Sequence, residues 1–448
     1  MPIVRQMSVD LDARMQRKLA TLAKRLLSAE PNLNRVDMFG PKVRPGVADG
    51  PALFFEDHSE IPLFDATADV PLEYRSFLLG GEDDFFLLAG RRFPEFEAYC
   101  HELLRLGAGA VLQPKSGPKD KVVPLSLRCM GDKVALERLS RAARAQGTFN
   151  VVSYMGTGNA WRLAALIGER SGVEISVAAS PPRLTTRVND KLWFLERVHE
   201  VLDRGASPLT YSVFGPAALA ARLRALAVRF PRVAVKVPDS AGSLGNVTIR
   251  SETIAARSLK QVRQIVLDML VERGWRNSYP LLVGVWDHPV IASPSVNLWI
   301  PGRAQGPPII EGLFTQTLAG EEAEFVGAEP SDVPKTLEHR ITYEATCLAS
   351  YLQNLGYFGR CGFDTILIGD SLHDAAVHWI ECNGRWGGVS IPTTVANRLL
   401  GNWNRKFIII VQRMHLNMPP HSLKCILALL KGHLFRAAEG NEGVILLS

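Results

Sequence analysis

The chain lacks any run of about 18 apolar residues free of charge, so no transmembrane helix is expected. It lacks a CxxC pair. Its six cysteines, Cys100, Cys129, Cys347, Cys361, Cys382 and Cys425, are scattered. That argues against a disulfide framework or a zinc site and fits a reducing, cytoplasmic compartment. The opening stretch MPIVRQMSVDLDARMQRKLA turns charged at once, so it does not read as a secretory signal. No Lys/Arg block and no RNA-binding signature accompany the net charge of +6. Neither nucleic acid nor a membrane is therefore expected as a partner, whereas an anionic small substrate such as a nucleotide suits the charge. Internal repeats and low-complexity tracts are also missing.

What is present is an ordinary globular composition, 47% hydrophobic and 21% charged, over 448 residues. This length predicts roughly two to four domains. Helical spacing runs from Leu11 to Ala29, and residues 32–71 read as loops around a strand at Ala52–Phe55. Short strands are expected at Phe77–Leu79 and Phe85–Ala89, then a helix near Phe93–Leu106. From Asn150 to Ala179 a strand, the turn GTGN, a helix and a second strand make a βαβ unit. This predicts a parallel sheet and a Rossmann-like subdomain. GTGN is too short for a dinucleotide fingerprint and reads as a strand-to-helix turn.

Beyond it, an Asn/Asp cap at 189–190 opens another helix. The strand VAVKV follows, then a helix over Leu259–Arg273 and strands at Leu281–Val285, Ser295–Ile300 and Ile309–Gln316. A helix is expected over Thr342–Leu355, then the paired strands FDTILIG and AVHWIECN. The tail adds a strand at Ile408–Val411 and a helix at Leu423–Ala437.

Two segments carry chemistry. In VAVKVPDSAGSLGN, Lys236 leads into a loop with Ser240, Gly242, Ser243, Gly245 and Asn246. Small residues let backbone N–H groups approach an anion, and the lysine adds positive charge, which suits nucleotide phosphates. Alone, the segment is weak and reads more readily as a glycine-rich hairpin with a solvated lysine. In the second segment Asp364 lies on one strand and Glu381 and Asn383 on the next. The latter two are separated by one residue and so share a face. Such oxygen ligands suit magnesium bound to a triphosphate. Arg385 extends the same face, where it can hold a phosphoryl group in transfer.

Together these segments resemble the ATP-grasp superfamily, over roughly residues 180 to 400. The resemblance implies an α/β (α+β) fold with ATP between two subdomains and the loop Ser240–Asn246 as a lid. It implies phosphate contacts from Lys191, in NDK, and from Lys236, with Asp364, Glu381 and Asn383 as metal ligands and Arg385 following them. ATP and magnesium, with manganese as a substitute, are the implied cofactors. In LLVGVWDHPV only Asp287 is available where many members carry an acidic pair against adenine and ribose.

The stretches SPSVNLWI, EGLFTQTL, EFVGAEPS and GVILLS are most similar to peptide ligases of the pheganomycin synthetase type. These carry a pre-ATP-grasp domain and a small C-terminal extension. The implied boundaries are 1–120 for an N-terminal region, 121–182 for the Rossmann-like pre-ATP-grasp unit, 183–400 for the ATP-grasp domain and 401–448 for the extension. The implied activity is ADP-forming ligation of a small-molecule carboxylate to an amine through an acyl phosphate, with Arg385 and Lys236 as catalytic residues. A kinase acting on a hydroxyl and a nucleotide-binding regulatory module are the alternatives, and a homodimer stays open.

Among the remaining residues, Cys382 alternates to the opposite face and reads as core. His288 and His378 have no partner spacing for a metal. Arg303 and Gln316 are candidates for meeting a substrate carboxylate and equally for the surface.

Overall fold

The computed structural model describes residues 3–7, 9–63, 72–115, 122–240, 245–406, 408–412, 423–440 and 442–448. Helix α1 (Ala13–Ala29) starts where the Asp12 side chain accepts from the Met15 amide. Six short strands follow: β1 (Val43–Pro45), β2 (Ala52–Phe55), β3 (Phe85–Leu87), β4 (Ala110–Leu112), β5 (Phe149–Ser153) and β6 (Ile175–Val177). They form one parallel sheet in the order β1-β6-β5-β2-β3-β4. Helices α2 (Pro94–Glu102), α3 (Leu125–Gly131), α4 (Lys133–Gln146) and α5 (Gly158–Ser171) cover it. Apolar clusters lie on both faces, as a parallel sheet requires.

The turn GTGN behaves as expected, with Thr157 capping α5 by accepting from the Ala160 amide. Gly156 is needed there because a Cβ would stand 2.7 Å from the Ser180 carbonyl oxygen.

Helices α6 (Pro182–Asn189) and α7 (Lys191–Val201) lead into a four-stranded antiparallel sheet. Its strands are β7 (Thr210–Val213), β8 (Arg232–Lys236), β9 (Asn246–Arg250) and β10 (Leu281–Val285), in the order β7-β10-β8-β9. Helices α8 (Pro216–Ala227) and α9 (Leu259–Glu272) pack on one face of it.

The third sheet is antiparallel and contains β11 (Val290–Ala292), β12 (Pro294–Ile300), β13 (Ile309–Ala319), β14 (Glu324–Pro330), β15 (Gly359–Ile368), β16 (Ala376–Asn383) and β17 (Ile410–Val411). Helix α10 (Lys335–Asn354) packs behind it with α1 and α7. Helices α11 (Ser390–Leu400) and α12 (Leu423–Leu429) close the chain. Each antiparallel sheet thus has a helix-covered face. Among the described residues no helix is long and apolar enough to cross a membrane.

Several expectations change. Phe77–Leu79 is part of a 3-10 segment, Leu72–Leu79, and not a strand. A short, fully buried apolar run has no periodicity to separate the two. The helix expected from Thr342 begins at Lys335, with Leu337 and Ile341 of its first two turns already buried. The helix expected to reach Ala437 stops at Leu429, and the strand expected from Ile408 is confined to Ile410–Val411. The parallel sheet also draws β1 to β4 from before residue 120, so its strands lie on both sides of the expected boundary there. Of these, Val43–Pro45 and Ala110–Leu112, three residues each, carry too little pattern to read, whereas Ala52–Phe55 and Phe85–Leu87 lie where strands are expected.

Candidate active site

Strands β15 and β16 pair so that Asp364 stands opposite Glu381 and Gly362 opposite Asn383. The three ligand candidates therefore share one face, which borders a cavity of about 710 Å³. Lys191, Lys236, Asn246, Asp287, Gln316 and Arg385 line the same cavity. The acidic strands belong to the seven-stranded sheet and Lys236 to the four-stranded one, so the cleft lies between the two sheets.

Lys191 is placed by the start of α7. Asp190 caps that helix by accepting from the Trp193 amide. The Lys191 amide donates to the Pro238 carbonyl at 2.9 Å, and its ammonium donates to the Ser240 carbonyl at 2.6 Å. The ammonium also lies 3.1 Å from Glu381 Oε2. Lys236 ends β8, with its ammonium 5.3 Å from the Trp286 ring centroid. Burial and the Lys191 charge lower its pKa, while Glu381 and Asp287 oppose that shift.

Asp364 is 8% exposed. Its Oδ1 accepts from Gln316 Nε2 and its Oδ2 from Asn383 Nδ2, each at 2.8 Å. Burial and then the Glu381 charge raise its pKa to about 7. Burial pushes Glu381 the same way, but Lys191 and Arg385 outweigh it and bring its pKa to about 2. A divalent cation fits this set. It would supply the charge that lets both carboxylates ionise, with Asn383 adding a neutral oxygen. Among the described residues no group of three or more His, Cys, Asp and Glu side chains offers a rival metal site.

Arg385 is anchored from two directions. Its Nη1 donates to Asn189 Oδ1 at 2.5 Å, and Asn189 Oδ1 also accepts from the Gly384 amide at 3.1 Å. A backbone bridge joins Arg385 to Met155, and the Trp386 amide donates to the Tyr154 carbonyl at 3.0 Å. The end of α6 and the loop after β5 thus clamp the segment that follows the metal ligands. Gly384 has to be glycine, since a Cβ would sit 2.3 Å from Val188 Cγ2.

Other expected residues are placed differently. Gly242 and Ser243 lie outside the described residues. Ser240 is in the turn and not among the cleft-lining residues; its hydroxyl donates to the Val237 carbonyl at 2.9 Å. What it presents to Lys191 is its carbonyl. Gly245 also lies off the cleft, and a Cβ there would meet Ser240 Oγ at 2.0 Å. Gln316 lines the cleft but binds Asp364, and Arg303 is not in the lining. Cys382 is core, as alternation implies, with its Sγ 3.5 Å from that of Cys361.

Sequence reasoning missed several residues. Asp287 Oδ2 has a partner, His378 Nδ1, at 2.8 Å. The parallel-sheet unit sends Arg75 and Tyr154 to the cleft, with Arg75 paired to the buried Glu56. Asn297 is 5% exposed, lines the cleft and has an unpartnered Nδ2. Only Asn189 carried a local signal, adjoining the Asp190 cap and Lys191.

Residues 73–169 match the model of the Pre ATP-grasp domain. No curated protein matches the chain. Among solved structures, the biotin carboxylase domain of the Hydrogenobacter thermophilus 2-oxoglutarate carboxylase, in complex with MgADP, ADP and bicarbonate, aligns at 14% identity and TM-score 0.45. That alignment covers 78% of this chain and 66% of the other. An L-amino acid ligase from Bacillus licheniformis aligns at 13% identity and TM-score 0.46, covering 80% and 72%. The N5-carboxyaminoimidazole synthetase of Staphylococcus aureus aligns at 11% identity and TM-score 0.44, covering 78% and 73%. The chain thus has the mixed α/β architecture expected of it, and its parallel-sheet unit carries the segment matched to the Pre ATP-grasp domain.

Proposed function

We propose that the cleft binds ATP with magnesium or manganese and that the protein is an ADP-forming carboxylate–amine ligase of the ATP-grasp type. The observation that carries this reading is the convergence of Asp364, Glu381 and Asn383 with Lys191 and Lys236 on one cavity between two antiparallel sheets. The Pre ATP-grasp match over residues 73–169 supports it independently of these residues.

In this reading Asp364, Glu381 and Asn383 hold the metal ion. The ion supplies charge neutralisation on the phosphates. Lys191 and Lys236 contact phosphate oxygens, and the buried position of Lys191 strengthens its attraction. A substrate carboxylate attacks the γ-phosphorus, the bond to the bridging oxygen breaks, and ADP leaves. The amine then attacks the acyl carbon, and phosphate departs from the tetrahedral intermediate. Arg385, oriented by Asn189, offers donors to the developing oxyanion. No protein nucleophile is required, which agrees with the buried, high-pKa thiol of Cys382. The pheganomycin synthetase resemblance makes amino acids or small peptides the favoured substrates.

ADP release is the test, measured with magnesium over amino acids singly and in pairs, with hydroxylamine present in a parallel series. The expected result is ADP without AMP, a hydroxamate of one carboxylate, and an amide when the partner amine is added. AMP and pyrophosphate, or a phosphorylated hydroxyl compound without any hydroxamate, would overturn the reading.

A further inference from the structure

We propose that His378 is a positioning residue that fixes Asp287 as the reader of the ribose hydroxyls of the nucleotide. The inference rests on the nucleotide-binding reading of the cleft and adds to it a residue from a different strand.

Asp287 lies just past the end of β10 and lines the cavity. Around it the lining is apolar, from Val285, Trp286, Val290, Ile366 and Ile380, a strip that suits a planar base. The charged lining from Lys191, Lys236, Asp364 and Glu381 belongs to the phosphate end. A carboxylate bordering both regions stands where the sugar of a nucleotide joins base to phosphates. Its charge is also close enough to Lys236 to raise that lysine's proton affinity.

His378 is not in the cavity lining and acts through Asp287. Its Nδ1 is 2.8 Å from Asp287 Oδ2. The second carboxylate oxygen takes no hydrogen bond among the described residues, which leaves an acceptor for a hydroxyl. Asp287 lies in a connection between strands, and a side chain there is free to change rotamer unless something holds it. The hydrogen bond from His378 holds it, over a separation of 91 residues. His378 sits on β16, the strand that carries Glu381 and Asn383, paired with Ile366 of β15. One strand therefore sets both the metal ligands and the sugar contact.

Calorimetric titration of the full chain with the magnesium salts of ATP, 2′-deoxy-ATP and 3′-deoxy-ATP tests this. Both analogues are needed because a carboxylate can accept from either hydroxyl. The unaltered protein is expected to bind at least one analogue about tenfold more weakly than ATP, as a hydrogen bond to a charged group implies. His378→Leu should bring that ratio to within about twofold while leaving the affinity for the analogue in place. His378→Asn, whose amide N–H can stand in for Nδ1–H, should restore most of it. A ratio unchanged in His378→Leu, or equal weakening of all three nucleotides, would overturn the assignment. If the unaltered protein binds all three alike, the Asp287 assignment alone falls. If it binds none, the nucleotide reading falls and takes this one with it.

Discussion

Asp364 and Glu381 face each other in register across two antiparallel strands, yet their proton affinities diverge, one rising to about 7 and the other falling to about 2. Burial acts on both in the same direction. The difference comes from the cations: Lys191 lies 3.1 Å from Glu381, while Asp364 receives hydrogen bonds from the neutral amides of Gln316 and Asn383. Burial and the facing carboxylate thus raise the proton affinity of Asp364, while Lys191 and Arg385 hold Glu381 in its ionised form.

A pH dependence of metal binding follows. Asp364 has a raised pKa, so it is protonated below about pH 7 and must lose that proton to bind a cation. Magnesium titrated into the protein with ADP should release about one proton per ion near pH 6 and almost none near pH 8. Affinity should rise with pH across that window. Calorimetry in two buffers of different ionisation enthalpy measures the release; a proton count independent of pH would contradict this titration.

Removing a ligand should cost turnover more than stability. Glu381→Gln keeps the shape but loses the charge, and Asn383→Ala removes the amide that also donates to Asp364. Each should lower ADP release by about 100-fold or more. Asn383→Ala should shift the melting temperature by only a few degrees, as loss of one hydrogen bond of about 1 kcal/mol implies. Steady-state rates beside thermal melts decide it, and near-normal rates would remove these residues from the ligand set.

The grip of Asn189 on Arg385 gives a paired test. Arg385→Lys keeps the charge but loses the planar fork that reaches Asn189. Asn189→Ala leaves the arginine but frees it. Both variants should impair amide formation, by about tenfold or more for the lysine, while the hydroxamate yield falls less. Equal loss in both assays would place Arg385 in the phosphoryl step instead.

Gly245 should matter to ATP binding through its neighbour. Valine there would drive its Cβ into Ser240 Oγ and Val237, disturbing the turn whose Ser240 carbonyl accepts from Lys191. Gly245→Val should raise the Michaelis constant for ATP by about tenfold, from overpacking worth about 1–3 kcal/mol. Gly245→Val with Ser240→Gly should recover part of it. No change in either variant would separate this turn from nucleotide binding.

Asn297 offers an unpaired amide to the cleft. Its replacement by alanine should leave stability almost unchanged, since no hydrogen bond from Nδ2 is lost. If the amide meets the carboxylate substrate, Asn297→Asp should raise that substrate's Michaelis constant far more than the one for ATP. Chemical denaturation and a two-substrate kinetic matrix measure the two effects.

The sequence by itself determined what depends on short-range order. Strand alternation put Glu381 and Asn383 on one face and turned Cys382 into the core, because side chains on a strand repeat with period two. The Asp190 cap and the Thr157 turn were legible because a helix start is satisfied by residues within one turn of it. Only the tertiary structure decided which distant residues meet. Asp287 and His378 are 91 residues apart, Asn189 and Arg385 are 196 apart, and Arg75 reaches the cleft from a 3-10 segment of the parallel-sheet unit. Strands β1 and β4 likewise joined the parallel sheet without a readable pattern, each being only three residues long. Such encounters depend on how packed sheets and helices bring the chain back on itself, and no local periodicity records where it returns.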